Sequence, residues 1–193
     1  NEAIARGDFE KAAYIYAHLL HDFNGAANVL QQGKMYREAA AIYKEHLKNL
    51  EKAAECLEKG GLIIDAIDLY IELQRWEKAG DLYATIGNKS KADLQYERCV
   101  DAAMQKGDYL EACRFLQEKL NQQDRALVTM LQGWHDNKQD VACLKRYLQT
   151  VCRLPEIDMA QQLEMLYRQH TPATKQGAFL TTVADNLGLL ETD

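Results

Sequence analysis

The chain has 193 residues, 47% hydrophobic and 27% charged, with a formal net charge of −6. That composition suits a soluble globular protein with room for one domain or one repeat array, and only 2 prolines and 11 glycines leave little room for linkers or disorder. Acidic and basic residues number 16 and 13 in residues 1–100 and 13 and 10 in the remainder, so no basic stripe is present to hold nucleic acid.

From Phe9 onward one pattern returns about every 13 residues: a large apolar residue, then a small residue at +3, then Tyr or Leu at +7. The copies read FEKAAYIY from Phe9, FNGAANVL from Phe23, YREAAAIY from Tyr36, LEKAAECL from Leu50, IIDAIDLY from Ile63, WEKAGDLY from Trp76 and, weakened, KSKADLQY from Lys89. Their small residues are Ala12, Ala26, Ala39, Ala53, Ala66, Ala79 and Ala92. Apolar positions at 0, +3, +4, +6 and +7 trace one face of a helix and not the alternation of a strand. Each copy is therefore one short amphipathic helix plus its turn. Turns are expected at Asp22, Gly33-Lys34, Lys48-Asn49, Gly60-Gly61, Gln74-Arg75 and Gly87-Asn88, with glycine taking the left-handed conformation at helix ends. Asp8 and Asp108, each after a glycine, read as N-caps. The alanine at +3 has a steric reason. Adjacent helices come close only where one side chain is small, and the flanking large residues then fill the space.

Odd copies end in Tyr16, Tyr43, Tyr70 and Tyr96. This alternation makes the unit a two-helix hairpin of about 27 residues, and repetition of such hairpins makes a solenoid. After Lys91 a longer helix is expected from about Ser90 to Lys106. A further copy, YLEACRFL, starts at Tyr109, and DRALVTML follows with Ala126 and Leu131. Beyond Asp136 the signature ends. Three ordinary amphipathic helices are expected at about 140–153, 156–169 and 172–187, with Asp140, Asp158 and Thr171-Pro172 as their starts. The reading is an all-α, right-handed α-solenoid of antiparallel helical hairpins over residues 1–137, with a non-repeating C-terminal helical cap over 138–193.

The phrases REAAAIYKEHL, EKAAECLEKGG and EKAGDLYATIGN resemble the short-helix variety of tetratricopeptide-like α-solenoids. Such helices occur in clathrin-type, vesicle-transport and flagellar-transport solenoids and in helical adaptors of membrane fusion. The resemblance spans about Phe9 to Trp134. Here the unit is shorter than the usual repeat of about 34 residues. What the resemblance implies is scaffolding or adaptor work.

Little points to bond chemistry. His18, His21 and Asp22 are the one tight group of metal-ligand types, and no third ligand of telling spacing joins the histidines, so the group reads as a solvated helix end. No phosphate-cradling or zinc-protease motif occurs. We expect no catalytic residues, cofactor or metal. The cysteines are Cys56, Cys99, Cys113, Cys143 and Cys152, odd in number and without a C-x-x-C, which suggests reduced thiols and a cytoplasmic setting. No run reaches the roughly 18–20 apolar residues of a membrane helix, so direct membrane insertion is not expected. The chain opens on Asn1 with the pattern running by Phe9, as a segment of a longer polypeptide would.

The expected function is a non-catalytic protein–protein interaction scaffold or adaptor. It would bind a peptide, helix or domain along the solenoid, with other domains of the same polypeptide as further partners. If the odd helices line a groove, its residues are Tyr14, His18, Arg37, Lys44, Lys48, Asp68 and Glu72, running from basic and aromatic to acidic. The alternative is a structural or oligomerising spacer. For that role the stripe Val141, Leu144, Tyr147, Leu148 and Val151 would have to be exposed.

Overall fold

A computed structural model of the chain describes residues 2–136, 140–154, 158–186 and 188. Among these residues the fold is all-α, without a strand, and its helices pack in succession on their chain neighbours, as in a solenoid. The chain forms two compact units, Asn1–Gln95 and Tyr96–Asp193. The expected boundary between residues 137 and 138 lies outside the described residues.

The first unit holds α1 (Glu2–Ala5), α2 (Phe9–Tyr14), α3 (Phe23–Gln32), α4 (Tyr36–Glu45), α5 (Leu50–Lys59), α6 (Ile63–Glu72) and α7 (Trp76–Thr85). Helix α8 (Lys89–Lys106) starts within it. Each of α2 to α6 packs on the helix that follows. The small residue of each copy sits where it must. Ala12, Ala26, Ala39, Ala53, Ala66 and Ala79 have no exposed surface at all. Of the tyrosines at +7, Tyr43, Tyr70, Tyr83 and Tyr96 are buried and Tyr16 is half-buried, and the hydroxyls of Tyr43 and Tyr70 reach the preceding helix. Tyr70 donates to Glu58 at 2.8 Å; Tyr43 donates to Asn28 and accepts from Gln31. Lysines of the following helix lie over these rings, Lys52 over Tyr43 and Lys78 over Tyr70.

The turns fall at the expected pairs, and Gly87 takes the expected left-handed conformation at 75°, but the first glycine of two other turns does not. Gly33 and Gly60 have ordinary negative φ; the left-handed residues are the next ones, Lys34 at 59° and Gly61 at 74°. Gly33 and Gly60 are small for another reason. A Cβ on Gly33 would lie 2.7 Å from Phe9, and one on Gly60 would lie 2.7 Å from Tyr36. The aromatic that opens one helix thus rests on the glycine that closes the next, which ties the start of α2 to the end of α3 and makes the pair antiparallel.

The spacing is not uniform either. It is 14 residues from Phe9 to Phe23 and from Tyr36 to Leu50, and 13 at the other steps up to Lys89. The additional residue is absorbed as one wide turn. After α2, residues Ile15–Leu19 are π-helical, and Leu20 N–H bonds Ile15 C=O five residues back. After α4 the same bond joins Leu47 N–H to Ile42 C=O. Widening by one residue keeps the left-handed position (His21 or Lys48) directly before the cap of the next helix, Asp22 or Asn49.

The second unit contains the rest of α8, then α9 (Tyr109–Arg114), α10 (Gln123–His135), α11 (Asp140–Val151), α12 (Met159–His170) and α13 (Gln176–Asp185). Helix α9 repeats the plan of α2: a cap from Asp108, a π-turn at Phe115–Lys119, a left-handed Asn121, and Tyr109 seated on Gly133. Ala112 and Ala126 are fully buried. The 20-residue step from Ala92 to Ala112 exceeds a 13-residue step by about two helical turns, which α8 takes up by its length.

The C-terminal starts differ from expectation. Asp158 caps α12 through Ala160 and Gln161 N–H, as expected; positions 156, 157 and 187 of the expected helices lie outside the described residues. Asp140 is already helical, and its carboxylate lies 3.4 Å from Lys175 Nζ. Thr171 does not cap forward. Its hydroxyl donates back to Leu166 C=O, and Pro172 precedes a single 3-10 turn, Ala173–Lys175. Lys175 is buried under Trp134 and donates to the carbonyls of Trp134 and Asp136, so it closes the end of α10.

Two expectations follow for stability. Ala39→Leu or Ala66→Leu should cost about 1–3 kcal/mol in urea unfolding, because no space exists for the added carbons; an unchanged midpoint would contradict the close-approach account. Lys34→Gly should stabilise by about 0.5–1 kcal/mol by relieving the left-handed backbone, whereas Gly33→Ala should destabilise against Phe9. Equal effects of the two changes would refute the assignment of their roles.

Candidate protein-binding groove

A cavity of about 380 Å³ in the first unit lies between α4, α5 and α6. Its floor is made of small and aliphatic side chains: Ala40 and Ala41 from α4, Ala53 and Leu57 from α5, and Leu69 from α6. Its rims are charged. Helix α4 supplies Arg37, Lys44 and Glu45, and α6 supplies Asp65, Asp68 and Glu72. Arg37 Nη2 reaches across to Asp65 Oδ2 at 3.2 Å, with both side chains at least half exposed, so the bridge aligns the rims more than it stabilises them.

Four of the expected surface residues, Arg37, Lys44, Asp68 and Glu72, come together on this groove. Three do not line it. Lys48 is the left-handed residue in the turn after α4. Tyr14 and His18 sit on α2 and its π-turn, with ring centroids 4.5 Å apart and Tyr14 60% exposed. His21 is the left-handed residue of that turn, and Asp22 is the cap of α3, accepting from Gly25 N–H. Sequence reading missed Glu45, Asp65 and the floor. The signal for the floor was available: Ala41 is a third consecutive alanine, standing at +5, where other copies carry Tyr14, Asn28, Glu55, Asp68, Asp81 or Leu94. A missing side chain at that position leaves a gap between α4 and α6.

Two other cavities of about 250 Å³ are lined in part by groups that bond one another. One, on α5, α6 and α7, contains the Tyr70–Glu58 hydrogen bond and Lys78, whose Nζ lies 4.9 Å above the Tyr70 ring. Burial, then the bond to Glu58, pushes the Tyr70 hydroxyl well above its ordinary pKa. The other, in the second unit, is lined by Gln117, Gln123 and Arg146, which bond one another through Gln117.

The titratable groups lean away from reactivity. Cys56, Cys99, Cys113 and Cys143 are buried and Cys152 is half-buried; none is in a disulfide. Burial pushes the Cys113 thiol up to about 12 and the Cys143 thiol up to about 11, so both stay protonated at neutral pH. Cys113 Sγ donates to Ala126 C=O at 3.4 Å. His135 is held below its usual range by burial first, then by His170 and Lys175. Among the described residues no three His, Cys, Asp or Glu side chains come together as a metal group, and no helix is long and apolar enough to cross a membrane.

The C-terminal stripe is not free. Leu144, Tyr147, Leu148 and Val151 are at most 4% exposed within the second unit, and only Val141, at 44%, faces outward. Tyr147 also accepts a hydrogen bond from Gln162 at 2.6 Å.

Compared with protein-family models, curated proteins and solved structures, the chain matches none.

The thiols give a direct check on burial. With a thiol-reactive chromophore at pH 8, the folded protein should show one fast-reacting cysteine, Cys152, lost in Cys152→Ser, and four slow ones that react on denaturation. Fast labelling of Cys113 or Cys143 would contradict the packing of the second unit.

Proposed function

We propose that this chain is a non-catalytic protein-interaction scaffold or adaptor segment of tetratricopeptide-like character that takes a protein ligand along its odd-helix face. The observation that carries this reading is the α4–α6 groove: a floor of Ala40, Ala41, Ala53, Leu57 and Leu69 bounded by charged rims. Small floor residues let a ligand backbone come close, and the rims supply orientation. A cavity of about 380 Å³ is at the lower end for a small-molecule pocket and suits the anchor side chains of a peptide or helix. The mechanism is binding and positioning. Protonated buried thiols support a role without covalent chemistry, and the free cysteines support a reducing, cytoplasmic setting. The burial of Leu144, Tyr147, Leu148 and Val151 counts against self-association through the stripe considered for a spacer.

The test is to fill the groove. Ala41 is exposed on its rim-to-floor slope, so Ala41→Trp occupies the gap without entering the core. Peptides selected from a displayed library against the native protein should bind the folded Ala41→Trp protein at least about tenfold more weakly, a loss of about 1.4 kcal/mol. Selected peptides that bind both proteins equally would overturn the assignment of this groove as the ligand site.

A further inference from the structure

The groove is unevenly charged. Two cations, Arg37 and Lys44, face four carboxylates, Glu45, Asp65, Asp68 and Glu72. Arg37 and Asp65 neutralise each other at 3.2 Å. That leaves Lys44 against three carboxylates, none of which has a cationic partner among the described residues. Asp68 and Glu72 stand one turn apart on the same side of α6, about 6 Å from each other, and repel. Nothing within α6 offsets this: Asp65 is the nearest acidic residue before them, and the last turn of the helix holds no basic residue. Opposite them, Ala40 and Ala41 present almost no side chain.

We infer that the groove receives a basic helical segment of a protein partner, with Lys or Arg at positions i and i+4 apposed to Asp68 and Glu72. The inference rests on the scaffold reading and adds the chemistry of the ligand. The pairing of spacings is direct. Two carboxylates at i and i+4 on one helix match two cations at i and i+4 on another, because both pairs rise by one helical turn. The apolar stems of Lys or Arg lie against Leu57 and Leu69, which are 8% and 6% exposed at the floor, while their heads reach the α6 rim. The alanines of α4 give the ligand helix room to approach, and Lys44 excludes a ligand that brings a third cation to the α4 side.

The experiment uses three fluorescein-labelled peptides of about 16 residues in an alanine-glutamine host that is long enough to be partly helical. One carries Lys pairs at i and i+4, one carries Glu pairs, and one carries Gln at the same positions. Fluorescence anisotropy should show binding of the Lys peptide with the Glu and Gln peptides at least about tenfold weaker, and the difference should shrink as salt is raised. Asp68→Lys with Glu72→Lys should weaken the Lys peptide by more than about tenfold, and the neutral pair Asp68→Asn with Glu72→Gln by a smaller factor. A charge-matched control, Glu55→Lys with Asp185→Lys, should leave affinity within about twofold, because those residues lie off the groove. Asp68, Glu72 and Asp185 are exposed and Glu55 is half-buried, and circular dichroism confirms folding of each variant. Equal weakening by the control would reduce the effect to net charge and overturn the proposal. Binding of the Glu or Gln peptide that is lost in Ala41→Trp would keep the groove as a site and overturn only the basic ligand. Peptide binding that ignores Ala41→Trp would overturn both.

Discussion

Everything in this chain depends on how closely one helix can approach the next. In Ala12, Ala26, Ala39, Ala53, Ala66 and Ala79, and again in Ala112 and Ala126, a single methyl group is fully enclosed. At interaxial distances of about 8–10 Å a methyl is what fits at the crossing point. Larger residues on each side then close the space: an aromatic or aliphatic group at the start of the helix and a tyrosine or leucine one turn beyond the alanine. Short helices of ten residues would be marginal alone. Here each is held by neighbours on two sides, so stability comes from repetition of one contact and not from a central core.

The turns serve that contact. Each helix must stop at the right point for the next alanine to meet its partner. The chain does this with a left-handed residue followed by a cap, and it tolerates lysine, glutamine, histidine and asparagine in the left-handed position as well as glycine. At Gly33, Gly60 and Gly133 glycine serves a second purpose, where an aromatic ring lies against the backbone. Where the spacing grows by one residue, a π-turn absorbs it. Where it grows by seven, α8 lengthens by two turns.

Much of this was legible in the sequence. The apolar period gave the helices, and the alanine register gave the packing points to the residue: all the alanines of the copies from Phe9 to Trp76 are enclosed, and Ala92 nearly so. The turn chemistry was less legible, because Gly33-Lys34 and Gly60-Gly61 carry two separate constraints, one steric and one conformational, and sequence shows only that a glycine is present. The role of Lys175 could not be read either. Its partners are main-chain carbonyls about 40 residues away, at Trp134 and Asp136, and carbonyls leave no trace in side-chain identity. Of the candidate surface, the residues at regular positions on α4 and α6 lie on one groove, while His18 and Lys48 belong to the wide turns and Tyr14 stands at the end of α2, away from the groove.

The same register that packs the core also shapes the groove. Because Ala41 stands where other copies carry a larger side chain, α4 and α6 are left with a gap above Leu57 and Leu69, between rims of opposite leaning charge. The central claim is that this gap is where the protein meets its ligand. The most direct measurement is a titration of isotope-labelled protein with the Lys-paired peptide, followed by amide chemical shifts. The account predicts shifts concentrated at Ala40, Ala41, Leu57, Asp68, Leu69 and Glu72, saturating together. Shifts concentrated instead around Tyr14 and His18, or on the Tyr70–Glu58 side of α5 and α6, would contradict it.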